Sequence, residues 1–179
     1  MKFFEDSKYY SLKKSTYINL RWIGIIGQLI SVYLVHFYFG FKFDFFLANL
    51  AIFFGVLSNL YLIFIYKKTQ LSDRFALLFL LFDIIQLTVL IYLTGGAKNP
   101  FIIFIIIPSI FASTNLGLKT NLLIVSITCI MIIFLTFYAS ELPYPLDSHF
   151  HISDYIYYSI PVSLIIALIF LNYFAIIFG

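Results

Sequence analysis

Long apolar runs separated by short polar connections constrain the fold of this chain more than any other feature. A helix needs roughly 20 predominantly apolar residues to cross a hydrocarbon core of about 30 Å. The runs are nearly continuous and do not alternate with a period of two, which favours helices over a β-barrel. We therefore predict an all-α integral membrane protein with six transmembrane helices, at residues 21–39, 45–66, 75–94, 101–116, 121–139 and 155–178.

The composition supports this class of protein. Of the 179 residues, 63% are hydrophobic and 11% are charged, and the mean hydropathy is +1.03. These values lie far outside the range of a soluble globular domain. The sequence has no zinc-binding, P-loop, dinucleotide-binding or hydrolase motif. We expect a membrane domain that holds no metal and carries no catalytic domain of its own.

The basic residues are divided unevenly between the two sides of the predicted membrane. Only Lys42 and Lys98 lie in the connections of one side. The other nine precede or flank the first span or lie in the connections on its starting side, and they are Lys2, Lys8, Lys13, Lys14, Arg21, Lys67, Lys68, Arg74 and Lys119. By the positive-inside rule the N-terminus is cytoplasmic, and six crossings return the C-terminus to the same side.

The chain is predicted to consist of a basic cytoplasmic segment over residues 1–20 and one membrane domain over residues 21–179. The first span has no small-residue cleavage site, so we expect it to remain as an anchor, with Arg21 and Trp22 at the inner interface. The net charge of +3 reflects topology and contact with anionic lipid. A nucleic-acid partner is therefore not predicted.

The connection between the third and fourth spans is the most informative stretch. Gly95 and Gly96 can adopt the left-handed conformation that ends a helix. Asn99 is a good N-cap residue, and Pro100 suits the first helical position because it has no N–H group to satisfy. A short helical hairpin on the outer face explains these four residues completely.

A functional interpretation of the same connection adds an aromatic cluster and free backbone donors. Tyr92, Phe101 and Phe104 are expected at the depth where an amphipathic ring would lie. The amide groups at the start of the fourth helix would be unpaired donors. A quinone head, which is flat and has two carbonyl acceptors, fits such a niche.

Two polar residues in the third span are the main candidates for signalling. Asp83 lies nine residues after Arg74, about 13 Å into the membrane, where an ionisable side chain is a functional candidate by default. Gln86 shares its helical face, and Asn59 or Asn172 could be partners. A role in signalling or proton coupling and a role as a neutral, hydrogen-bonded packing residue both remain open.

Other polar features have simpler interpretations. Gln28 is expected to pack against another helix, and Pro108 is expected to kink the fourth span. Cys129, in the middle of the fifth span, is interpreted as a small packing residue. His149 and His151, in the connection over residues 140–154, could hold a divalent metal with nearby carboxylates, but a solvated loop is favoured because no ligand spacing is recognised.

The connection also carries a family resemblance. Its heptapeptide Gly-Gly-Ala-Lys-Asn-Pro-Phe, residues 95–101, matches the Gly-Gly-x-x-Asn-Pro-Phe signature of the RegB/PrrB/ActS redox-sensing histidine kinases. The resemblance extends over roughly the whole chain, through Leu20-Arg21-Trp22, Gly27-Gln28, Asp83, Gln86-Leu87 and Leu93-Thr94. It implies that residues 21–179 form a sensor domain in a bacterial inner membrane that reads the ubiquinone pool. The implied quinone-binding residues are Tyr92, Gly95, Gly96, Asn99, Pro100 and Phe101, with Asp83 and Gln86 as signalling candidates.

The resemblance further implies a homodimer and a cytoplasmic, ATP-dependent histidine kinase region that acts on a response regulator. That region would lie beyond Gly179, so the chain is expected to be a fragment or a membrane domain detached from its kinase. His36, His149 and His151 lie in the outer half of the topology and cannot accept phosphate from a cytoplasmic ATP site. The alternative class is a small polytopic transporter or a membrane scaffold without ligand, which a stop codon after Gly179 would favour.

Overall fold

The computed structural model describes residues 12–38, 40–138 and 154–178. Apart from a pair of two-residue strands, β1 (Leu12–Lys13) and β2 (Gln70–Leu71), the regular structure in these ranges is helical. The α-helices are α1 (Lys14–Tyr33), α2 (Phe45–Phe64), α3 (Asp73–Leu93), α4 (Ile107–Asn115), α5 (Leu118–Phe137) and α6 (Asp154–Phe178). A π-helical turn (Leu34–Tyr38) extends α1, and two 3-10 helices (Gly96–Lys98 and Pro100–Ile106) precede α4.

Four helical segments within the described residues are long and apolar enough to cross a membrane. They are Lys14–Tyr38, Phe45–Phe64, Asp73–Leu93 and Leu118–Phe137. Two further apolar helical segments lie at Pro100–Asn115 and, within α6, at Ile160–Tyr173. The helical class of the fold is therefore confirmed. The first helix begins at Lys14, before the predicted start at residue 21. The Lys14 backbone amide donates to the Thr69 carbonyl, next to β2, at 3.0 Å, and this contact holds the start of the helix.

The fourth predicted span has two helical conformations. Pro100–Ile106 is a 3-10 helix, and the α-helix begins only at Ile107. Pro108 therefore lies in the first turn of α4, where a residue without an N–H group is tolerated. The helix type changes just before Pro108, and the predicted kink at this proline stays a prediction.

Packing has the polarity expected of a protein whose solvent is lipid. Large apolar side chains cover the outside, and Phe46 and Phe64 are 74% and 77% exposed. Polar side chains lie inside, where Asn59 and Thr128 are fully buried. The larger apolar core packs α3, α4, α5 and α6 together and includes Tyr17 of α1 and Leu62 of α2, and a smaller core joins α1, α2 and Leu90 of α3. Polar groups exposed to hydrocarbon are costly, so their burial follows from the surroundings.

The start of α1 is fixed to the connection between α2 and α3. β1 pairs antiparallel with β2, and the Lys14 ammonium group donates to the backbone carbonyls of Tyr66 at 2.6 Å and Ile63 at 3.3 Å. Asp73 accepts a long hydrogen bond from the Gly117 amide at 3.4 Å, which brings the α4–α5 connection to the same end. We call this the inner end of the bundle, and it also holds Lys13, Lys67, Lys68, Arg74 and Lys119.

Candidate functional site

A cavity of about 690 Å³ lies between α1, α3 and the segment that runs from Asn99 into α4. Its walls are mainly apolar. The lining runs from Tyr17 of α1 to Leu34 at the start of its π-helical extension, a separation of 17 positions that corresponds to roughly 25 Å along the helix axis. The cavity therefore extends through most of the thickness of a bilayer. The polar side chains that line it are Tyr17, Arg21, Gln28, Ser31, Asp83, Gln86, Thr94 and Asn99.

The turn at the outer end of the cavity depends on two glycines and one asparagine. Gly95 and Gly96 have φ angles of 111° and 57°, which side chains disfavour. The Asn99 side-chain amide donates to Thr94 twice, to its carbonyl at 3.1 Å and to its hydroxyl at 2.6 Å. Its Oδ1 atom accepts from the Phe101 amide at 2.9 Å. Asn99 thus joins the end of α3 to the start of the next helix.

The expectation of free amide donors at this helix start is wrong. Pro100 has no N–H group, and the Phe101 amide is bonded to the Asn99 side chain. The Ile102 amide donates to the Asn99 carbonyl at 3.0 Å. The N-cap therefore uses the donors that sequence reasoning had assigned to a ligand.

The structure brings some of the predicted site residues together and separates others. Asn99, Pro100 and Phe101 line the cavity, and so do Asp83 and Gln86. Phe101 stacks on Phe104, which also lines the cavity, with ring centroids 5.8 Å apart. The hairpin residues and the polar residues of α3 therefore belong to one cavity.

Tyr92, Gly95 and Gly96 lie outside this lining. The Tyr92 ring stacks on Phe134 of α5, with centroids 6.1 Å apart, on a different face of α3. Gly96 is buried and, with Gly95, shapes the turn. Gly95 and Gly96 therefore support the hairpin, and Tyr92 belongs to the contact between α3 and α5.

Asp83 is held by a buried cluster that joins three helices. Its Oδ1 atom accepts from Arg21 Nε at 3.0 Å and from Arg21 Nη2 at 2.7 Å. Its Oδ2 atom accepts from the Tyr17 hydroxyl at 2.7 Å. Arg21 Nη2 also donates to the Ser58 hydroxyl of α2. The carboxylate is thus paired with a guanidinium, which is the arrangement that makes a charge tolerable inside a membrane.

Three expectations about this cluster are corrected. The Arg21 side chain is 5% exposed and points into the bundle, so its predicted position at the inner interface is wrong. Asn59 donates instead to the Ile18 carbonyl at 3.4 Å, and Asn172 donates to the Leu168 carbonyl at 2.8 Å. Neither amide is a partner of Asp83. The partner was overlooked because a basic residue at the predicted end of a span is usually read as an interfacial anchor.

Gln86 is bonded to Gln28 across the gap between α3 and α1. Gln86 Nε2 donates to Gln28 Oε1 at 2.7 Å, and the reverse contact, from Gln28 Nε2 to Gln86 Oε1, is longer at 3.4 Å. Sequence reasoning expected Gln28 to pack against another helix, and the structure confirms this contact. It did not assign Gln28 to the site, although a polar side chain in an otherwise apolar span was the signal that could have done so.

No cluster of three or more His, Cys, Asp or Glu side chains occurs among the residues that the structure describes. His149, His151 and the rest of the connection over residues 139–153 lie outside the described residues. Cys129 is half-buried on α5, with its side chain packed against the larger core.

The fold and the cavity define a multi-span helical membrane domain, and comparison with known proteins gives the family. Residues 5–176 match the family described as the PilS-like transmembrane domain. The chain belongs to this family.

A curated relative is the sensor histidine kinase RegB of Cereibacter sphaeroides, which is 31% identical over 124 residues. The matched region is 69% of this chain and 27% of that protein, so the chain spans about a quarter of the length of this relative. No solved structure matches.

These matches confirm the resemblance carried by the heptapeptide of residues 95–101. The chain is a transmembrane sensor domain of the RegB/PrrB family. It lies in the bacterial inner membrane as a multi-pass protein.

Proposed function

We propose that this sensor module binds ubiquinone or a related quinone in the cavity between α1, α3 and α4, and passes the redox state of the quinone pool to a cytoplasmic histidine kinase. The observation that carries the proposal is the convergence of two separate sequence features on one cavity. Asn99, Pro100 and Phe101 come from the family signature, and Asp83 and Gln86 come from the third span. Ligand sites in proteins are typically apolar cavities with a few placed polar groups.

The shape of the cavity suits an amphipathic ligand with a long apolar tail. The stacked rings of Phe101 and Phe104 provide a flat apolar wall for a quinone ring. Ile23, Leu90 and Ile107 line further parts of the same space. A lining of roughly 25 Å along α1 leaves room for several isoprenoid units beyond the ring.

The topology proposed for this function has six spans with both termini in the cytoplasm. The basic residues of the inner end support this orientation, because Lys14, Lys67, Lys68 and Arg74 lie there together. α6 would then end at the cytoplasmic face, next to a kinase region. The family resemblance implies a homodimer and a cognate response regulator, and we include both in the proposal.

The signal would pass from the cavity wall through α4 to α6. The 3-10 helix Pro100–Ile106 and α4 contact α3, α5 and α6. A 3-10 helix of seven residues has poorer hydrogen-bond geometry than an α-helix, so the conversion of this segment to an α-helix costs little free energy. A quinone that binds two arrangements of this segment unequally would shift their populations. Membership of a sensor family favours this role over a transporter or a scaffold.

The experiment is an equilibrium titration of the nanodisc-held protein with ubiquinone-1, comparing the wild type with Phe101→Leu and Phe134→Leu. Phe134 is a matched control, because it is 40% exposed against 36% for Phe101 and also stacks on an aromatic ring, but it does not line the cavity. We expect Phe101→Leu to weaken binding by about 2- to 10-fold, which corresponds to one lost aromatic contact. Phe134→Leu should bind as the wild type does. Absence of saturable binding by the wild type would contradict the proposal.

A further inference from the structure

Two polar side chains of the cavity, Gln28 and Gln86, join two helices and still have unused hydrogen-bonding capacity. We propose that the Gln28–Gln86 amide pair is the contact that distinguishes quinone from quinol in this cavity. The inference rests on the proposed function and assigns the recognition of redox state to α1 and α3. The signature hairpin then serves as the outer wall of the site.

The hairpin has little capacity left for a ligand. Both N–H groups of the Asn99 side chain donate to Thr94, and its Oδ1 atom accepts from the Phe101 amide. The Asn99 backbone amide donates to the Gly96 carbonyl at 3.0 Å. The Thr94 hydroxyl donates to the Leu90 carbonyl at 2.8 Å. These groups hold the turn together, and a ligand would have to break the turn to use them.

The charged end of the cavity is also occupied by its own contacts. Asp83 accepts from both Arg21 and Tyr17. The one Arg21 nitrogen without a hydrogen-bond partner, Nη1, is itself buried. The guanidinium carbon lies 5.5 Å from the Tyr17 ring centroid and 5.6 Å from the Phe79 ring centroid, which is the geometry of a cation–π contact. This cluster stabilises the bundle, and its one unpaired donor, Arg21 Nη1, is buried and so is not exposed to a ligand in the cavity.

The two glutamines differ from both of these groups. Each side-chain amide has two N–H donors and an oxygen with two lone pairs. The pair uses one donor of Gln86 at 2.7 Å and makes a weak reverse contact at 3.4 Å. At least one N–H group on each amide and further lone pairs are therefore unused. Ser31, three residues after Gln28, adds a hydroxyl to the same lining but does not connect two helices.

An amide pair can respond to the chemical difference between the two ligand forms. The ring oxygens of a quinone only accept hydrogen bonds, whereas those of a quinol also donate. A quinone would take an N–H group of the pair, and a quinol would donate to an amide oxygen. Rotating either amide exchanges its donor and acceptor positions, so each ligand form favours one direction of the hydrogen bond between Gln28 and Gln86. The redox state of the ligand is thereby coupled to the link between α1 and α3.

Gly55 on α2 leaves space behind the pair. A Cβ atom at this position would lie 3.6 Å from Gln86 Nε2 and 3.7 Å from Gln86 Cδ. Glycine thus avoids a side chain in contact with the amide that has to rotate.

The test compares affinities for ubiquinone-1 and ubiquinol-1 in nanodiscs. We expect the wild type to bind the two forms with different affinities. Gln28→Met and Gln86→Met keep much of the side-chain shape without a strong donor or acceptor, and we expect each to weaken the tighter-bound form about 10-fold and to bring the ratio towards one. Gln70→Met is the matched control, because Gln70 is exposed in β2 and does not line the cavity. It should leave the ratio unchanged.

The outcomes separate this inference from the proposed function. If the wild type binds the two forms with equal affinity, the inference is wrong and the quinone site stands. The same holds if the Met variants keep the wild-type ratio of the two affinities. If the wild type binds neither form, both fail.

A second measurement needs no substitution, and it decides the question if the Met variants do not fold. The chain has three glutamines, at positions 28, 70 and 86, so glutamine-selective ¹⁵N labelling gives three side-chain NH₂ signals. We expect the Gln28 and Gln86 signals to differ between the quinone- and quinol-bound protein while the Gln70 signal stays the same. Identical signals in the two states would overturn the inference.

Discussion

Arg21 of α1 and Asp83 of α3 form an ion pair inside the bundle, in which two guanidinium nitrogens donate to a single carboxylate oxygen at 3.0 and 2.7 Å. The Arg21 side chain is 5% exposed and that of Asp83 is 18% exposed. The other carboxylate oxygen accepts from Tyr17. Because each charge depends on the other for a partner, the pair fixes the register between the first and third helices at the floor of the cavity.

The first prediction concerns the removal of one charge or both. Asp83→Leu leaves a buried guanidinium without its counter-ion, and Arg21→Met leaves a buried carboxylate, so we expect each to lower the free energy of unfolding by about 3–5 kcal/mol. The double variant leaves neither charge unpaired and should be more stable than either single variant. Denaturant unfolding in detergent measures this. If the double variant loses as much free energy of unfolding as the two single variants together, a direct pairing of Arg21 and Asp83 would be contradicted.

The second prediction concerns the Asn99 side chain. Asn99→Ser keeps an acceptor for the Phe101 amide but loses the two donors to Thr94, and should cost about 1 kcal/mol. Asn99→Asp places a carboxylate oxygen opposite the Thr94 carbonyl, where the present amide nitrogen is 3.1 Å away, and should cost about 1–3 kcal/mol.

Asn49 provides the control for this series. Its half-buried amide makes one local bond within α2, to the Phe45 carbonyl at 2.8 Å. Asn49→Ser and Asn49→Asp should each change thermal stability less than the same change at Asn99. If Asn99→Asp is as stable as the wild type, then Asn99 acts only as an N-cap and its donors do not hold the turn.

The third prediction concerns topology. Reporter fusions after Lys68 and Lys119 should be active in the cytoplasmic compartment, because both residues lie at the basic inner end of the bundle. Fusions after Asp44 and Asp147 should be active on the external side. A cytoplasmic signal at Asp147 would contradict the proposed six spans, because the fifth helix would then not have crossed the membrane.

Much of the helical architecture could be predicted from the sequence because lipid imposes one strong requirement, the internal pairing of every backbone polar group. The starts of α2 at Phe45 and of α3 at Asp73 lie within two residues of the predicted starts, since charges and caps mark them. The conformation of the fourth segment could not be predicted. Its composition suits an α-helix, and only the structure shows the 3-10 helix before Ile107.

The candidate site was only partly predictable for a different physical reason. The signature hairpin and Asp83 stand out because turn-forming and charged residues interrupt otherwise apolar runs. The pairing of Asp83 with Arg21 and of Gln86 with Gln28 depends on the rotation of α1 against α3, which a single sequence does not specify. The Asn99 contacts were also invisible, because an N-cap preference does not show that the same side chain donates backwards to Thr94.

Photolabelling tests the position of the ligand most directly. The nanodisc-held protein is illuminated with a ubiquinone analogue that carries an azide on its ring, with and without excess ubiquinone-1, and the labelled peptides are identified by mass spectrometry. The account predicts label on the cavity-lining residues within 23–35, on α1 and its extension, and within 99–111, and predicts that unlabelled quinone suppresses it. Label confined to α5 or α6, or spread over the lipid-facing surface and unaffected by competition, would contradict a quinone site in this cavity.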